Sequence, residues 1–284
     1  PGKNSIAVAE LAWGLILSCD RRIPNQVMKL REGHWEKKAF SKTQGLYGRT
    51  LGIIGLGGIG KEVVKRAKAF GMEVIAWSRS MNDEKANELG IQWTEDILEI
   101  ASSSDVVSIH AASTPDTKHI ISTTFLDAMK DGSILINTSR GALIDEDALC
   151  KAVEEKNLLV GLDVFEHEPS SGAAAYSPRV ASFENVFGTH HVGASTAQAQ
   201  SAIADEAVRV VKRFCDSGEV FNCVNRAIET PAKALLAVRH QNLPGVLAHV
   251  FELLSHAGLN VEEMENIMYE GAHAACARIQ LSEE

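Results

Sequence analysis

No CxxC pair occurs in this sequence. Its five cysteines (Cys19, Cys150, Cys215, Cys223, Cys276) are scattered and odd in number. That argues against disulfides and a structural zinc, and it fits a reduced, cytoplasmic compartment with no metal site. A surplus of cations is also missing: 37 acids stand against 28 Lys and Arg, for a net charge of -9. Phosphate backbones are held by clustered cations, so a nucleic-acid partner is not expected. The basic stretches, such as KEVVKRAK from Lys61 to Lys68, space their charges around a helix and read as a solvated face. No run is long enough to span a membrane. The most apolar one, IAVAELAWGLILSC, is broken by Glu10 and followed by Asp20, Arg21 and Arg22, the wrong charge order for a signal peptide. Its spacing of Ile6, Ala9, Leu11, Leu15 and Leu17 predicts a helix buried in the protein or against a second subunit. No strand precedes that helix, and neither repeats nor low-complexity segments follow it.

What is present is an ordinary globular composition, 45% apolar and 23% charged over 284 residues, enough for one large domain or two. From Leu51 onward, six short runs alternate with helical stretches: LGIIGLG (51–57), EVIAWS (73–78), DVVSIHA (105–111), SILINTS (133–139), VGLDVF (160–165) and NVFGTHH (185–191). Runs this continuous in Val, Ile and Leu suit strands buried on both faces, hence a doubly wound parallel (Rossmann) α/β sheet. The amphipathic stretch 197–216 closes that domain. After VNRAIETPAK the pattern becomes strand, helix, strand, strand, most of a ferredoxin-like α+β unit. The boundary is expected near Thr230 and Pro231, giving domains 1–230 and 231–284.

The first run ends in GLGGIG, which supplies Gly55, Gly57, Gly58, Ile59 and Gly60 in GxGxxG spacing. Following a strand and opening a helix, these glycines let the backbone approach a pyrophosphate at the helix N-terminus. The second run ends in AWSRS. Ser78 stands where an acid normally bonds the ribose 2′-OH, and Arg79 follows it. A missing carboxylate removes repulsion against a 2′-phosphate, so the cofactor is read as NAD or NADP.

Later runs each end in a polar group: Arg140 in NTSRG, Asp163 and Glu168 in DVFEHEP, and His191 in THHVGAST. Ligands of open parallel sheets bind at these carboxyl ends. Arginine's fork can hold a carboxylate, and a histidine paired with an acid can give and take a proton. The trio therefore suits hydride transfer between a nicotinamide and a 2-oxo acid. At GLYGRTLGIIGLGGIG, LINTSRGALIDEDAL, GLDVFEHEP and HHVGAST the chain resembles the D-isomer-specific 2-hydroxyacid dehydrogenases, from about Asn4 to Asn225. The resemblance implies that Arg140 binds and polarises substrate, Glu168 pairs with the histidine, and His191 is the proton donor. It implies that Asp163 lies near the nicotinamide carboxamide and that Thr138, Ser139, Gly193 and Ala194 line the cofactor. His190 takes the place of the family's usual proline, and strand alternation predicts that its side chain points away from His191.

The tail, LAVRHQNLPGVLAHVFELLSHAGLNVEEMENIMYEG, resembles the ACT module of the D-3-phosphoglycerate dehydrogenase branch of that family. By that resemblance, His240, Asn242 and Asn260 are candidates for a serine effector bound between paired domains. It also implies 3-phospho-D-glycerate as substrate, a homodimer or homotetramer, and a longer parent chain. The N-terminal substrate domain is largely absent here and the ACT-like module is cut short. Two competing readings are an NADPH-dependent hydroxypyruvate or glyoxylate reductase and a non-catalytic, NAD(H)-sensing corepressor-like protein.

Overall fold

The near-continuous Val, Ile and Leu runs form a sheet buried on both faces. The computed structural model describes residues 2–170, 172–223, 225 and 230–282. Its chain divides into two units, Pro1–Gly218 and Glu219–Glu284. In the first, β1 (Thr50–Ile54), β2 (Glu73–Trp77), β3 (Gln92–Trp93), β4 (Val106–Ile109), β5 (Ile134–Asn137), β6 (Leu159–Leu162) and β7 (Val186–Gly188) make one sheet. Its order is β3-β2-β1-β4-β5-β6-β7 and every pairing is parallel. Three helices precede the sheet: α1 (Ser5–Arg21), α2 (Ile23–Arg31) and α3 (Lys37–Phe40). Between strands lie α4 (Gly58–Ala69), α5 (Asp83–Leu89), α6 (Ile97–Ser103), α7 (Thr123–Ala128) and α8 (Glu146–Lys156), and α9 (Ala197–Ser217) follows. Seven strands stand where six were expected. The extra one is only two residues long and carries no apolar run to betray it.

Side chains alternate across each strand and so feed two cores. Leu51, Ile53, Val106, Ile134 and Ile136 pack with α1 and α4, while Ile54, Val107, Ile109 and Leu135 pack with the α6, α7 and α8 layer. A fully buried Ile or Leu of this kind contributes about 1.5–3 kcal/mol. Helix α1 is spent on its own sheet: Ala9, Ala12, Trp13, Leu15, Ile16 and Cys19 are buried, and Trp13 stacks on Phe70 at 4.5 Å. Ile6, expected on the buried stripe, is 55% exposed. The rest of that stripe faces the core: Ala9 and Leu15 are buried, Leu11 and Leu17 pack partly against it, and Gly161 makes room for Leu15, where an added Cβ would meet Leu15 Cβ at 2.9 Å.

The strand order reverses between β1 and β4, which opens a crevice at their carboxyl ends. Among the described residues, no helix is long and apolar enough to cross a membrane.

The second unit contains β8 (Ala234–Gln241), α10 (Val246–His256), β9 (Val261–Met268) and β10 (Ala274–Leu281), in the antiparallel order β8-β10-β9. Ala277, Ile279 and Leu281 pack on Leu254 of α10. On the same sheet face Leu236 and Met264, both in register with Ile279, remain 36% and 37% exposed. The first unit ends at Gly218, which closes α9 in the left-handed conformation (φ 70°). That lies ahead of the boundary expected at Thr230 and Pro231, because the connecting segment groups with the second unit.

Candidate active site

The glycine loop is shaped by what its residues lack. Gly55 has φ 94°, and a Cβ there would strike Ala111 N and the His110 carbonyl carbon at the end of β4. A Cβ on Gly60 would strike Gly55 O, so the third glycine lets α4 close on β1. At Gly58 a Cβ would meet Ser5 Oγ at 2.7 Å, and Ile59 packs into the α1–α4 core. Gly57 differs: nothing lies within 4 Å of the position its Cβ would take. It is the N-cap of the 12-residue α4, and no side chain caps that end. Open space over uncapped amides fits a pyrophosphate. At the end of β2 the chain turns through a Met81 N–H donated to Ser78 O, 3.1 Å. Arg79 is exposed, and no hydrogen bond or ion pair engages it among the described residues.

The strand ends bring the proton-transfer candidates together. His191 Nδ1–H donates to Glu168 Oε1 at 2.5 Å, and Glu168 Oε2 accepts Phe165 N–H at 3.1 Å. With Nδ1 engaged, Nε2 is the ring nitrogen left for a substrate, and it has no partner among the described residues. Both side chains line a cleft of about 670 Å3 with Phe165, Pro169, Tyr176 and Thr189. His190 lines the same cleft, contrary to the alternation expected. β7 has already ended at Gly188, and His191 sits at φ 53°, so the period of two no longer applies. Arg140 is exposed; its Nη1 donates to Ser139 O at 2.6 Å and does not contact the His191–Glu168 pair. The two loops nevertheless touch. The Phe165–Glu166 peptide fills the space where Gly141 would carry a Cβ.

Asp163 is tied to the loop that follows β7. It is 1% exposed, and its carboxylate accepts from Thr189 Oγ1 (2.6 Å), Val192 N (2.9 Å) and Gly193 N (2.8 Å). Its carbonyl accepts His191 N–H at 2.8 Å. Sequence reasoning missed this clamp on the His191 loop; the acid ending a buried strand one residue beyond its last apolar position was the available signal. Thr138 is buried with an unpartnered Oγ1, whereas Ser139 Oγ donates to Ile109 O at 2.7 Å. Gly193 is buried and Ala194 half-buried at the turn before α9, whose first turn is capped by Thr196 Oγ1 accepting from Ala199 N. The unpaired Thr138 hydroxyl, the open Gly57 and the bare α4 amides together fit a bound dinucleotide.

His110, also missed, sits on the switch-point crevice at the end of β4. Its Nε2 lies 2.8 Å from Ser108 Oγ, its Nδ1 is buried and unpaired, and burial pushes its pKa down to about 3. In the second unit, His240 lies between Gln241 O and Asn266 Oδ1, and Asn242 Nδ2 donates to Ala272 O. Asn260 Nδ2 donates to Glu262 Oε1 at the other end of the sheet. The register pairs Gln241 with Ala274 and Val261 with Leu281, so these residues stand roughly 20 Å apart within one chain.

Residues 13–193 match the model of the D-isomer specific 2-hydroxyacid dehydrogenase NAD binding domain. The chain belongs to that family. The domain's cofactor is a nicotinamide dinucleotide, NAD or NADP. The chain is 41% identical over 226 residues to the D-3-phosphoglycerate dehydrogenase of Methanocaldococcus jannaschii, covering 79% of this chain and 42% of that one. It is 43% identical over 212 residues to the hydroxypyruvate reductase of Thermotoga maritima, covering 74% and 67%. Against the D-3-phosphoglycerate dehydrogenase of Escherichia coli, identity is 34% over 266 residues, 92% of this chain and 64% of that one. A glyoxylate reductase structure from Paecilomyes thermophila superposes with TM-score 0.71 at 33% identity, over 79% of this chain and 66% of that chain. The chain thus spans less than two thirds of the length of either phosphoglycerate dehydrogenase.

Proposed function

We propose that the protein interconverts a D-2-hydroxy acid and its 2-oxo acid, with 3-phospho-D-glycerate and 3-phosphohydroxypyruvate, in the route to serine, as the favoured pair. The contact between His191 Nδ1 and Glu168 Oε1 carries the reading. When bound, the nicotinamide supplies or accepts the hydride. Arg140 would hold the substrate carboxylate and polarise its neighbouring carbonyl with its planar fork. Glu168 fixes the His191 ring with Nε2 toward the substrate, where it gives a proton to the new alkoxide and takes it back in reverse. Thr138, Ser139, Gly193 and Ala194 would line the cofactor.

The favoured substrate rests on the tail. The match to the Escherichia coli phosphoglycerate dehydrogenase extends over 92% of the chain, into the second unit, whose strand–helix–strand–strand order supports a partial ACT module. His240 and Asn242 of one copy with Asn260 of another would be a serine site between paired modules, consistent with a homodimer or homotetramer. Scattered cysteines support a cytoplasmic setting. A second reading, an NADPH-dependent hydroxypyruvate or glyoxylate reductase, is favoured by Ser78 and the unengaged Arg79 and by the reductases among the relatives. Initial rates of NADH and NADPH oxidation with 3-phosphohydroxypyruvate, hydroxypyruvate and glyoxylate separate the two. Highest kcat/KM on the phosphorylated acid supports the first; a preference for NADPH with glyoxylate or hydroxypyruvate supports the second and overturns the first.

A further inference from the structure

A second histidine–glutamate contact lies one loop away from the first. His119 Nε2 and Glu166 Oε1 are 2.6 Å apart, and Glu166 is two residues before Glu168. His119 sits at φ 50°, a left-handed conformation that a non-glycine residue rarely adopts. Its backbone is tied to the Arg140 side of the site: His119 N–H donates to Ala142 O at 2.9 Å, and Ile121 N–H to Leu143 O at 3.0 Å. Its ring reaches the other side, the Phe165–Glu168 loop. Between them Gly141 lies against the Phe165–Glu166 peptide. Glu166 N–H in turn donates to Glu146 Oε1 at 2.6 Å, in the first turn of α8. His119 is thus a brace joining the loop that carries Arg140 to the loop that carries Glu168.

We propose that His119 is a positioning residue: through Glu166 it holds the Phe165–Glu168 loop so that Glu168 stays on His191 Nδ1. The inference rests on the reading of Glu168 and His191 given above. The loop's other ties, Glu166 N–H to Glu146 Oε1 and Phe165 against Tyr176 and Gly188, leave the Glu166 carboxylate to His119. Glu168 Oε2 to Phe165 N is internal to the loop, and the neighbouring 169–178 stretch contains neither helix nor strand among its described residues. A shift of about 1 Å at a proton donor costs on the order of a hundredfold in rate.

The test reads the His191 ring directly, by long-range proton–nitrogen NMR of the full chain, and does not depend on turnover. His119→Gly removes the brace without straining a backbone already in glycine's preferred region. His119→Gln restores a donor at nearly the reach of Nε2, and Glu166→Gln is a second, milder break. Glu168→Ala is the reference for a ring released from its acid. The expected result is an Nδ1–H ring in the wild type, a shift of His119→Gly toward the Glu168→Ala spectrum, and recovery in His119→Gln. With a 2-oxo acid, His119→Gly should lower kcat by about tenfold to a hundredfold, leaving KM for the cofactor within about twofold, a change of under 0.5 kcal/mol. A wild-type ring signal in both His119→Gly and Glu166→Gln, with Glu168→Ala shifted, overturns the positioning role alone. An unshifted Glu168→Ala ring overturns the pairing beneath it, and both readings fall together.

Discussion

The two units of this chain bury their sheets to different extents. In Pro1–Gly218 the inner strands of the central sheet feed a helix-covered core on each face, and Ile53, Val107, Leu135 and Ile136 are fully buried. Among the described residues of Glu219–Glu284, three strands share one helix, and the same face that buries Ile279 leaves Leu236 and Met264 more than a third exposed. The lesson concerns where precision can be built. A closed core fixes strand ends tightly enough to set Glu168 on His191 and three donors on Asp163. An open one supplies a surface on which His240, Asn242 and Asn260 lie apart.

The comparison can be broken by core truncations. Phe125→Ala, in the closed core at 1% exposure, should destabilise the first unit by about 3–5 kcal/mol, measured by denaturant titration. Ile279→Ala removes an equally buried side chain, but the open flank can collapse around the gap, so about 2–3 kcal/mol is expected. Equal costs would erase the distinction between the units.

A pH titration sharpens the comparison from inside the closed unit. His110 in the folded chain has its pKa pushed down by burial to about 3, against 6.5 for a free histidine. The unfolded chain therefore binds the extra proton between those values. Stability is full above about pH 6.5 and falls as pH drops toward 3, with a slope of up to about 1.4 kcal/mol per unit from this group. Measured from pH 7 to pH 4.5, His110→Asn should show a shallower loss than wild type; an unchanged slope would mean His110 is not buried neutral.

The smallest effect belongs to the rim of the first unit. Arg79→Ala should weaken NADPH binding about tenfold, some 1.4 kcal/mol, with NADH affinity little changed. Equal losses for both cofactors would remove the 2′-phosphate reading of Arg79.

Much of the closed unit was legible because its signals are local. Apolar runs gave six of seven strands, and GLGGIG gave three glycines whose absent Cβ atoms are each visible in the fold: Gly55 against Ala111, Gly60 against Gly55 O, Gly57 facing open space. His191 and Glu168 were legible as strand-end polars. What escaped depends on contacts distant in sequence. Asp163 takes donors 26 to 30 residues away, Gly141 makes room for the Phe165–Glu166 peptide, and His119 reaches Glu166 across 47 residues. No spacing rule encodes such pairings. His190 departs from strand alternation for a simpler reason: β7 ends at Gly188, two residues before it.

The central claim is that His191, held by Glu168, is the proton donor of a dinucleotide-dependent dehydrogenase. It is tested most directly by comparing wild type with His191→Ala in NADH and NADPH oxidation by 3-phosphohydroxypyruvate, with cofactor affinity measured alongside by fluorescence. The account predicts turnover in the wild type, a loss of about 10²–10⁴ in kcat for the variant, and a cofactor Kd that stays within about twofold. A variant that turns over at the wild-type rate would contradict it.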